Sequence, residues 1–92
     1  MIQSFKCAIT QRLFSGDCVA RWVHIRQVAE RKLQMLHRAV VLADLLVPPG
    51  NRLEKLSGDR AGQWSIRVND QWRVCFVWRE GRAWDVEIVD YH

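Results

Sequence analysis

Three short runs in the last third of the chain combine β-branched and aromatic residues with an alternation of apolar and polar positions. They are 64–68 (WSIRV), 72–78 (WRVCFVW) and 83–89 (AWDVEIV). Successive side chains of a strand point to opposite faces, so this pattern is typical of half-buried strands. The turn residues Asn69-Asp70 and Glu80-Gly81 separate the runs. The pattern predicts a three-stranded antiparallel meander with one apolar and one polar face.

The alternation also predicts the direction of individual side chains. Ile66 and its apolar neighbours are expected to face a core, and Cys75, which lies in an apolar run, is expected to be a core residue. The outward face is expected to carry Ser65, Arg67, Arg73, Asp85 and Glu87. Arg67 and Glu87 are candidates for an ion pair between strands.

A helical pattern precedes the strands. Apolar residues recur every three or four positions from about 21 to 46, which predicts a helical region that covers the apolar face of the sheet. This span is long for a globular helix, so we expect a break near Ala39–Val41 that leaves one long helix and one short helix. A further short helix is expected at 8–15 and is ended by Gly16, while residues 2–6 are a candidate fourth strand.

The connection between the helical region and the strands contains Val47-Pro48-Pro49-Gly50, where proline disfavours continuation of a helix. Leu53 and Leu56 are expected to anchor the next short segment, so that Glu54 and Lys55 project near the first strand. A loop is expected at 57–62. The predicted order β-α-α-β-β-β places the helices on one face of an antiparallel sheet, in a single α+β domain over residues 1–92.

Length and hydropathy limit the class of protein. A chain of 92 residues with 49% hydrophobic residues is long enough for one domain with a modest core. No run approaches the roughly 20 apolar residues of a membrane span. The first residues, MIQSFKCAITQR, lack the basic and apolar regions of a signal peptide, so we expect a cytoplasmic protein.

The basic residues are predominantly arginine. The formal net charge is +4, and 11 of the 14 basic residues are Arg. The planar guanidinium group can donate two hydrogen bonds to one phosphate and can stack on bases. This balance favours an anionic partner, either nucleic acid or an acidic protein, although a solubilising charged surface is the simpler explanation.

The cysteines show no ligand spacing. Cys7, Cys18 and Cys75 form no C-x-x-C pair and have no histidine at the spacing of a zinc site. We therefore expect reduced thiols, without a disulfide framework, a metal or another cofactor.

The last three residues carry a carboxylate, a phenol and an imidazole. RNA can be cleaved without a metal if its own 2′-hydroxyl attacks the adjacent phosphorus, which requires a base, an acid for the leaving 5′-oxygen and cations for the phosphate charge. His92 can take either proton-transfer role because histidine titrates near neutral pH. Asp90 or Glu54 can act as a base or orient an imidazole, and Tyr91 can stack on a base or contact the phosphate.

Arginine on the predicted strands can supply the cations. Arg73 is the candidate phosphate clamp, and the candidates for contacts with the RNA backbone are Lys55, Arg60 and Arg67. The tail also has a simpler interpretation, in which Asp90 and Tyr91 end a strand and His92 is merely the chain end.

The run PPGNRLEKLSGDRAGQWSIRVNDQWRVCF, followed by DVEIVDYH, resembles the HigB branch of the RelE-like bacterial toxins, which are ribosome-dependent mRNA endonucleases. It covers about half of the chain closely. The resemblance implies a RelE-like fold, an mRNA-cleaving role for Asp90, Tyr91 and His92 in the ribosomal A site, and a phosphate-stabilising role for Arg73. Some members carry a catalytic histidine where this chain has Glu54, so the division of acid and base roles stays open.

The resemblance further implies a type II toxin–antitoxin pair of the RelE/ParE superfamily. The implied partners are a HigA-like helix-turn-helix antitoxin, the ribosome and mRNA, with operator DNA contacted only through the antitoxin. Two alternatives stay open. One is a non-catalytic toxin of the same fold that poisons DNA gyrase, and the other is an inert co-repressor that binds the antitoxin.

Overall fold

In the computed structural model, which describes residues 1–90, the alternating runs form neighbouring strands of an antiparallel sheet. The α-helices and strands are α1 Ala8–Phe14, α2 Arg26–Arg38, β1 Glu54–Lys55, β2 Trp64–Arg67, β3 Trp72–Arg79 and β4 Arg82–Asp90. The sheet order is β1-β2-β3-β4, with every neighbouring pair antiparallel. The predicted α+β class and the C-terminal meander are confirmed.

Apolar residues lie in register on the side of the sheet that faces the helices. Val74 pairs with Ile66 on one side and with Ile88 on the other, and all three are buried. Trp22 is buried beside the sheet and meets Trp72 edge to face, with 5.9 Å between ring centroids. Helix α2 adds three buried residues at helical spacing, Ala29, Leu33 and Leu36.

The predicted break in the helical region is confirmed. Helix α2 ends at Arg38, Ala39 is extended, and a short 3₁₀ helix follows at Leu42–Leu46. The carboxylate of Asp44 accepts hydrogen bonds from the backbone N–H groups of Val40 (2.9 Å) and Val41 (3.1 Å). These bonds hold the pKa of Asp44 below its usual value. No helix within residues 1–90 is long and apolar enough to cross a membrane.

The fourth strand is not the one that was predicted. Residues 2–6 make two isolated parallel bridges to β4, from Ile2 to Ala83 and from Phe5 to Val86. The edge strand β1, Glu54–Lys55, instead completes the sheet beside β2. The predicted β-α-α-β-β-β order was therefore wrong. The observed order is α-α-β-β-β-β. Strand β1 was not predicted because two residues are too few to show an alternating pattern in the sequence.

A β-bulge in β4 determines which of its residues lie on the polar face. Cys75 of β3 pairs with Glu87, but Val77, two residues later, pairs with Trp84, so β4 contains one extra residue. Asp85 lies in this interval and has a left-handed φ of 52°. The extra residue brings Glu87 and Trp84 to the same face of the sheet.

The turn between β3 and β4 depends on glycine. Glu80 and Gly81 both have left-handed φ values (52° and 73°), as a two-residue hairpin turn requires. A Cβ atom at position 81 would lie 3.2 Å from the carbonyl oxygen of Val40. Gly81→Ala should therefore lower the free energy of unfolding by about 1–2 kcal/mol in urea denaturation.

Gly50→Ala is the matched control for this substitution. A Cβ atom there meets nothing within 4 Å, and the backbone is not left-handed. It should stabilise the chain by no more than about 1 kcal/mol, through the unfolded state. Equal destabilisation by both substitutions would contradict the assigned role of Gly81.

Candidate active site

A row of side chains crosses all four strands on the side of the sheet that faces away from the helices. Glu54 pairs with Ser65, Ser65 with Cys75, and Cys75 with Glu87. The Cα atoms of the two glutamates, one at each end of the row, are therefore roughly 14 Å apart, because neighbouring strands are about 4.8 Å apart. Ser65 and Cys75 are fully buried between them. Cys75 was predicted to be a core residue; it is buried, but on the face opposite the apolar core.

Arg73 lies on the same face of β3, and its side chain is enclosed. Its Nε donates to Oγ of Ser65 at 2.8 Å, and its Nη2 donates to the backbone carbonyl of Arg52 at 2.6 Å. The same Nη2 lies 3.3 Å from Oε2 of the exposed Glu54. The predicted face is therefore correct, but Arg73 is only 8% exposed because these groups surround it.

The carbonyl group that receives Arg73 is directed by an unusual backbone conformation. Arg52 is left-handed, with φ 45° and ψ 56°, and it directly follows the 3₁₀ turn Pro49–Asn51. Residues other than glycine adopt this left-handed region infrequently. The conformation places the Arg52 carbonyl and, two residues later, Glu54 on the same guanidinium group of Arg73.

Asn51 fixes this connection to the rest of the molecule. Its side chain is fully buried, and its amide nitrogen lies 3.2 Å from the carbonyl oxygen of Leu45 and 3.4 Å from that of Val47. Its amide oxygen accepts a hydrogen bond from Nζ of Lys32 in α2. Sequence reasoning missed Asn51, because an asparagine after Pro-Pro-Gly has the composition of an ordinary exposed turn.

A second cation reaches across the polar face. Arg60, at the end of the 3₁₀ turn Gly58–Arg60, donates from Nη1 to Oε1 of Glu87 at 2.9 Å and to Oε1 of Gln63 at 3.1 Å. This ion pair joins the β1–β2 connection to β4. Burial raises the pKa of the Cys75 thiol, while the positive charge of Arg60 acts in the opposite direction.

Arg67 does not form the predicted ion pair with Glu87. It pairs instead with Asp70, three residues later in the turn before β3. Its Cα position lies opposite Arg73 in the β2–β3 register. The pKa of Lys32 is lowered, mainly by burial and to a smaller extent by neighbouring positive charges, which include Arg67. Arg67 thus lies beside Arg73 in the sheet, while its charge is paired with Asp70.

Lys55 is separated from this group by strand alternation. It pairs with Trp64, whose ring packs against the apolar core, whereas its neighbour Glu54 pairs with the buried Ser65. The exposed Lys55 side chain thus projects from the helix-facing side at the sheet edge.

The end of β4 lies close to the enclosed arginine. Asp90 is exposed, and its Oδ2 accepts a hydrogen bond from the side-chain amide of Gln71 at 3.1 Å. The residue before Asp90 pairs with Arg73. The predicted catalytic residues Tyr91 and His92 follow directly and lie outside the described residues.

Metal-ligating side chains are not clustered in the part of the chain that the structure describes. Within residues 1–90, no three His, Cys, Asp or Glu side chains are placed to hold a metal ion. Cys7, Cys18 and Cys75 are free thiols, of which Cys75 is buried.

Comparison with known proteins identifies the family. Residues 3–92 match the RelE-like toxin of the type II toxin–antitoxin system HigB. The chain belongs to the HigB-like toxins. It is 51% identical over 85 residues to Toxin HigB-1 of Vibrio cholerae serotype O1, covering 90% of each chain. It is 44% identical over 98 aligned positions to Endoribonuclease HigB of Proteus vulgaris, covering 100% of each.

Two solved structures share the fold of this HigB-like toxin. The YoeB-YefM complex from Staphylococcus aureus matches with a TM-score of 0.61 at 16% identity, over 100% of this chain and 98% of that one. A heterotetrameric YoeB-YefM toxin-antitoxin complex from the same organism matches with a TM-score of 0.60 at 15% identity, over the same shares. The predicted RelE-like fold is confirmed.

The hydrogen bond between Ser65 and Arg73 is expected to contribute measurably to stability. Ser65→Ala removes the hydroxyl oxygen that accepts the Nε–H hydrogen bond of the buried Arg73, and it should lower the free energy of unfolding by about 1.5–3 kcal/mol. Ser57→Ala is the control, because Ser57 is exposed and makes no side-chain cap. It should change stability by less than about 0.5 kcal/mol in the same urea titration. A Ser65→Ala chain as stable as the parent would contradict this role.

Proposed function

We propose that this HigB-like toxin is an endoribonuclease that cuts translated mRNA in the ribosomal A site. In this proposal the 2′-hydroxyl of the RNA attacks the adjacent phosphorus and the 5′-oxygen leaves, with no metal ion required. The proposal is supported by the family and by the name of the Proteus vulgaris relative, Endoribonuclease HigB. The observation that carries it is the enclosed guanidinium of Arg73, held beside Glu54 on a polar face.

Arg73 supplies charge to the transition state. Two of its hydrogen-bond acceptors, Oγ of Ser65 and the carbonyl of Arg52, are neutral, so they orient the guanidinium without cancelling its charge. The surroundings exclude most water, which strengthens its attraction for the extra negative charge on the phosphoryl oxygens. An oriented donor of this kind typically contributes about 10²–10³ in rate.

Proton transfer is assigned to Glu54 and to the C-terminal residues. Glu54 is exposed while its carboxylate lies within ion-pair distance of Arg73, so a bound phosphate would lie near both groups. It can take the proton of the 2′-hydroxyl or orient an imidazole. With Glu54 as the base, His92 donates a proton to the leaving 5′-oxygen, and Asp90 and Tyr91 orient the substrate and the imidazole.

The remaining cations bind the RNA backbone. Arg60 is fixed by Glu87, and Arg67 lies beside Arg73 in the sheet register. Lys55 extends this rim from the other side of the edge strand. Contacts of this kind position the RNA without reading its sequence, and they weaken as salt concentration rises.

The setting of this reaction is the cytoplasm, where the ribosome and mRNA are the targets. The proposed inhibitor is a HigA-like helix-turn-helix antitoxin, through which alone the toxin contacts operator DNA. The assignment of an antitoxin is supported by the family and by the likeness to two YoeB-YefM structures.

Mapping of 5′ ends in cellular mRNA tests this function. Induction of the chain alone should produce new cuts inside translated frames, and these cuts should disappear when translation initiation is blocked. Arg73→Gln and His92→Ala should reduce the cuts by about 100-fold or more at equal protein levels. Arg82→Ala, which removes an exposed arginine beside the β3–β4 turn, should leave them unchanged.

Two results would overturn the proposal. Growth arrest with intact mRNA that persists in His92→Ala would indicate a toxin that binds DNA gyrase. Harmless expression of the parent chain without antitoxin would indicate a co-repressor.

A second experiment separates the roles of Glu54. Glu54→Gln keeps the size of the side chain but removes its basicity, and should lower kcat by about 100-fold. Glu54→His restores a proton-transfer group at this position and should recover most of the rate. Ribosome-programmed cleavage of a defined mRNA measures both, and full activity of Glu54→Gln would exclude Glu54 as the base.

A further inference from the structure

Four exposed apolar side chains are concentrated in one short segment between α2 and β1. Val40, Val41, Leu46 and Val47 are between 53% and 72% exposed, and they are four of the six large hydrophobic residues exposed within residues 1–90. We call these four residues the apolar patch. Exposed apolar surface of this kind commonly marks an interaction site, because burying it is favourable.

An open groove adjoins the apolar patch. Its volume is about 420 Å³, and its lining comes from α2, from the middle of the helix onward, and from the segment that follows: Arg31, Gln34, Met35, Arg38, Ala39 and Asp44. Ala39 and Asp44 of this lining flank Val40 and Val41 in the sequence, so the groove adjoins that end of the patch. Beneath the surface, the buried side-chain amide of Asn51 lies 3.0 Å from Sδ of Met35 and 3.4 Å from the carbonyl oxygen of Val47, which holds the lining near the other end of the patch.

The charge available in the groove is positive. The Asp44 carboxylate accepts hydrogen bonds from the N–H groups of Val40 and Val41, so its negative charge is directed to the backbone of its own loop. Arg31 and Arg38 are exposed, and neither takes part in an ion pair within the described part of the chain. The surface therefore offers two guanidinium groups beside aliphatic side chains.

We propose that this surface binds the cognate antitoxin through an amphipathic acidic segment. Its apolar residues would cover the patch, and its Asp or Glu side chains would pair with Arg31 and Arg38. A protein segment fits better than RNA, because a phosphate backbone would leave the aliphatic side chains exposed to water. The inference rests on the proposed antitoxin partner and on no step of the cleavage chemistry.

Calorimetric titration of the purified chain with its cognate antitoxin tests the surface. The double variants Val40→Ser/Val47→Ser and Arg31→Glu/Arg38→Glu should each raise Kd by about tenfold or more. The arginine variant should also lose most of the salt dependence of binding. Thermal unfolding of each variant, followed by circular dichroism, shows whether the fold is retained.

Val23→Ser is the matched control. Val23 is 61% exposed and precedes the N-terminal end of α2, whereas the groove begins in the middle of that helix, at Arg31, and runs toward its C-terminal end. Its removal should leave Kd unchanged. In cells, both double variants should arrest growth like the parent but escape neutralisation by co-expressed antitoxin.

Three outcomes separate the possibilities. Unchanged Kd in both double variants would overturn the proposal. A dimer of the chain alone, seen by light scattering and abolished by Val40→Ser/Val47→Ser while antitoxin affinity is kept, would overturn it in favour of a second copy as the occupant. Raised Kd in a chain that leaves mRNA intact would support the surface while refuting the nuclease.

Discussion

A buried positive charge is the constraint on which the polar face of this toxin depends. An enclosed guanidinium group costs several kcal/mol unless hydrogen-bond acceptors surround it. Arg73 obtains these acceptors from β2, from the left-handed carbonyl before β1, and from β1 itself. Three separate segments must therefore be in place before the charge is satisfied. Completing the sheet and assembling the candidate site are consequently one event.

The apolar face of the sheet was largely predictable, because burial leaves a period in the sequence. Ile66 was expected to face the core with its apolar neighbours and does so, and the helical region breaks near Ala39 as its length indicated. Edge strand β1 was not predicted, because two residues are too few to show an alternation of apolar and polar positions. The ion pair of Glu87 with Arg60 escaped it as well, since it depends on a bulge and on a loop that closes over the sheet.

Residue types alone identified the charged groups of the candidate site, but not the groups that hold them. Arg73 and Glu54 lie together as their chemistry suggested, whereas alternation turns Lys55 to the other side of the edge strand. The register set by the turn at 69–70 would have suggested Ser65 as a diagonal neighbour of Arg73. Nothing local predicts the left-handed Arg52, because its conformation depends on distant contacts of the residue before it.

The bulge at Asp85 determines which positions of β4 lie on each face of the sheet. Beyond the bulge, Glu87 and Val89 lie on the face of Cys75, and Glu87 can reach Arg60. Because Asp85 and Val86 together lie opposite the single residue Phe76, loss of Asp85 would restore regular alternation and leave Glu87 opposite Cys75. A second extra residue in the same interval would instead place Glu87 opposite Val74, in the apolar core, and Ile88 opposite Arg73, on the charged face. A one-residue deletion at the bulge and a one-residue insertion there thus differ completely in their consequence for the charged face.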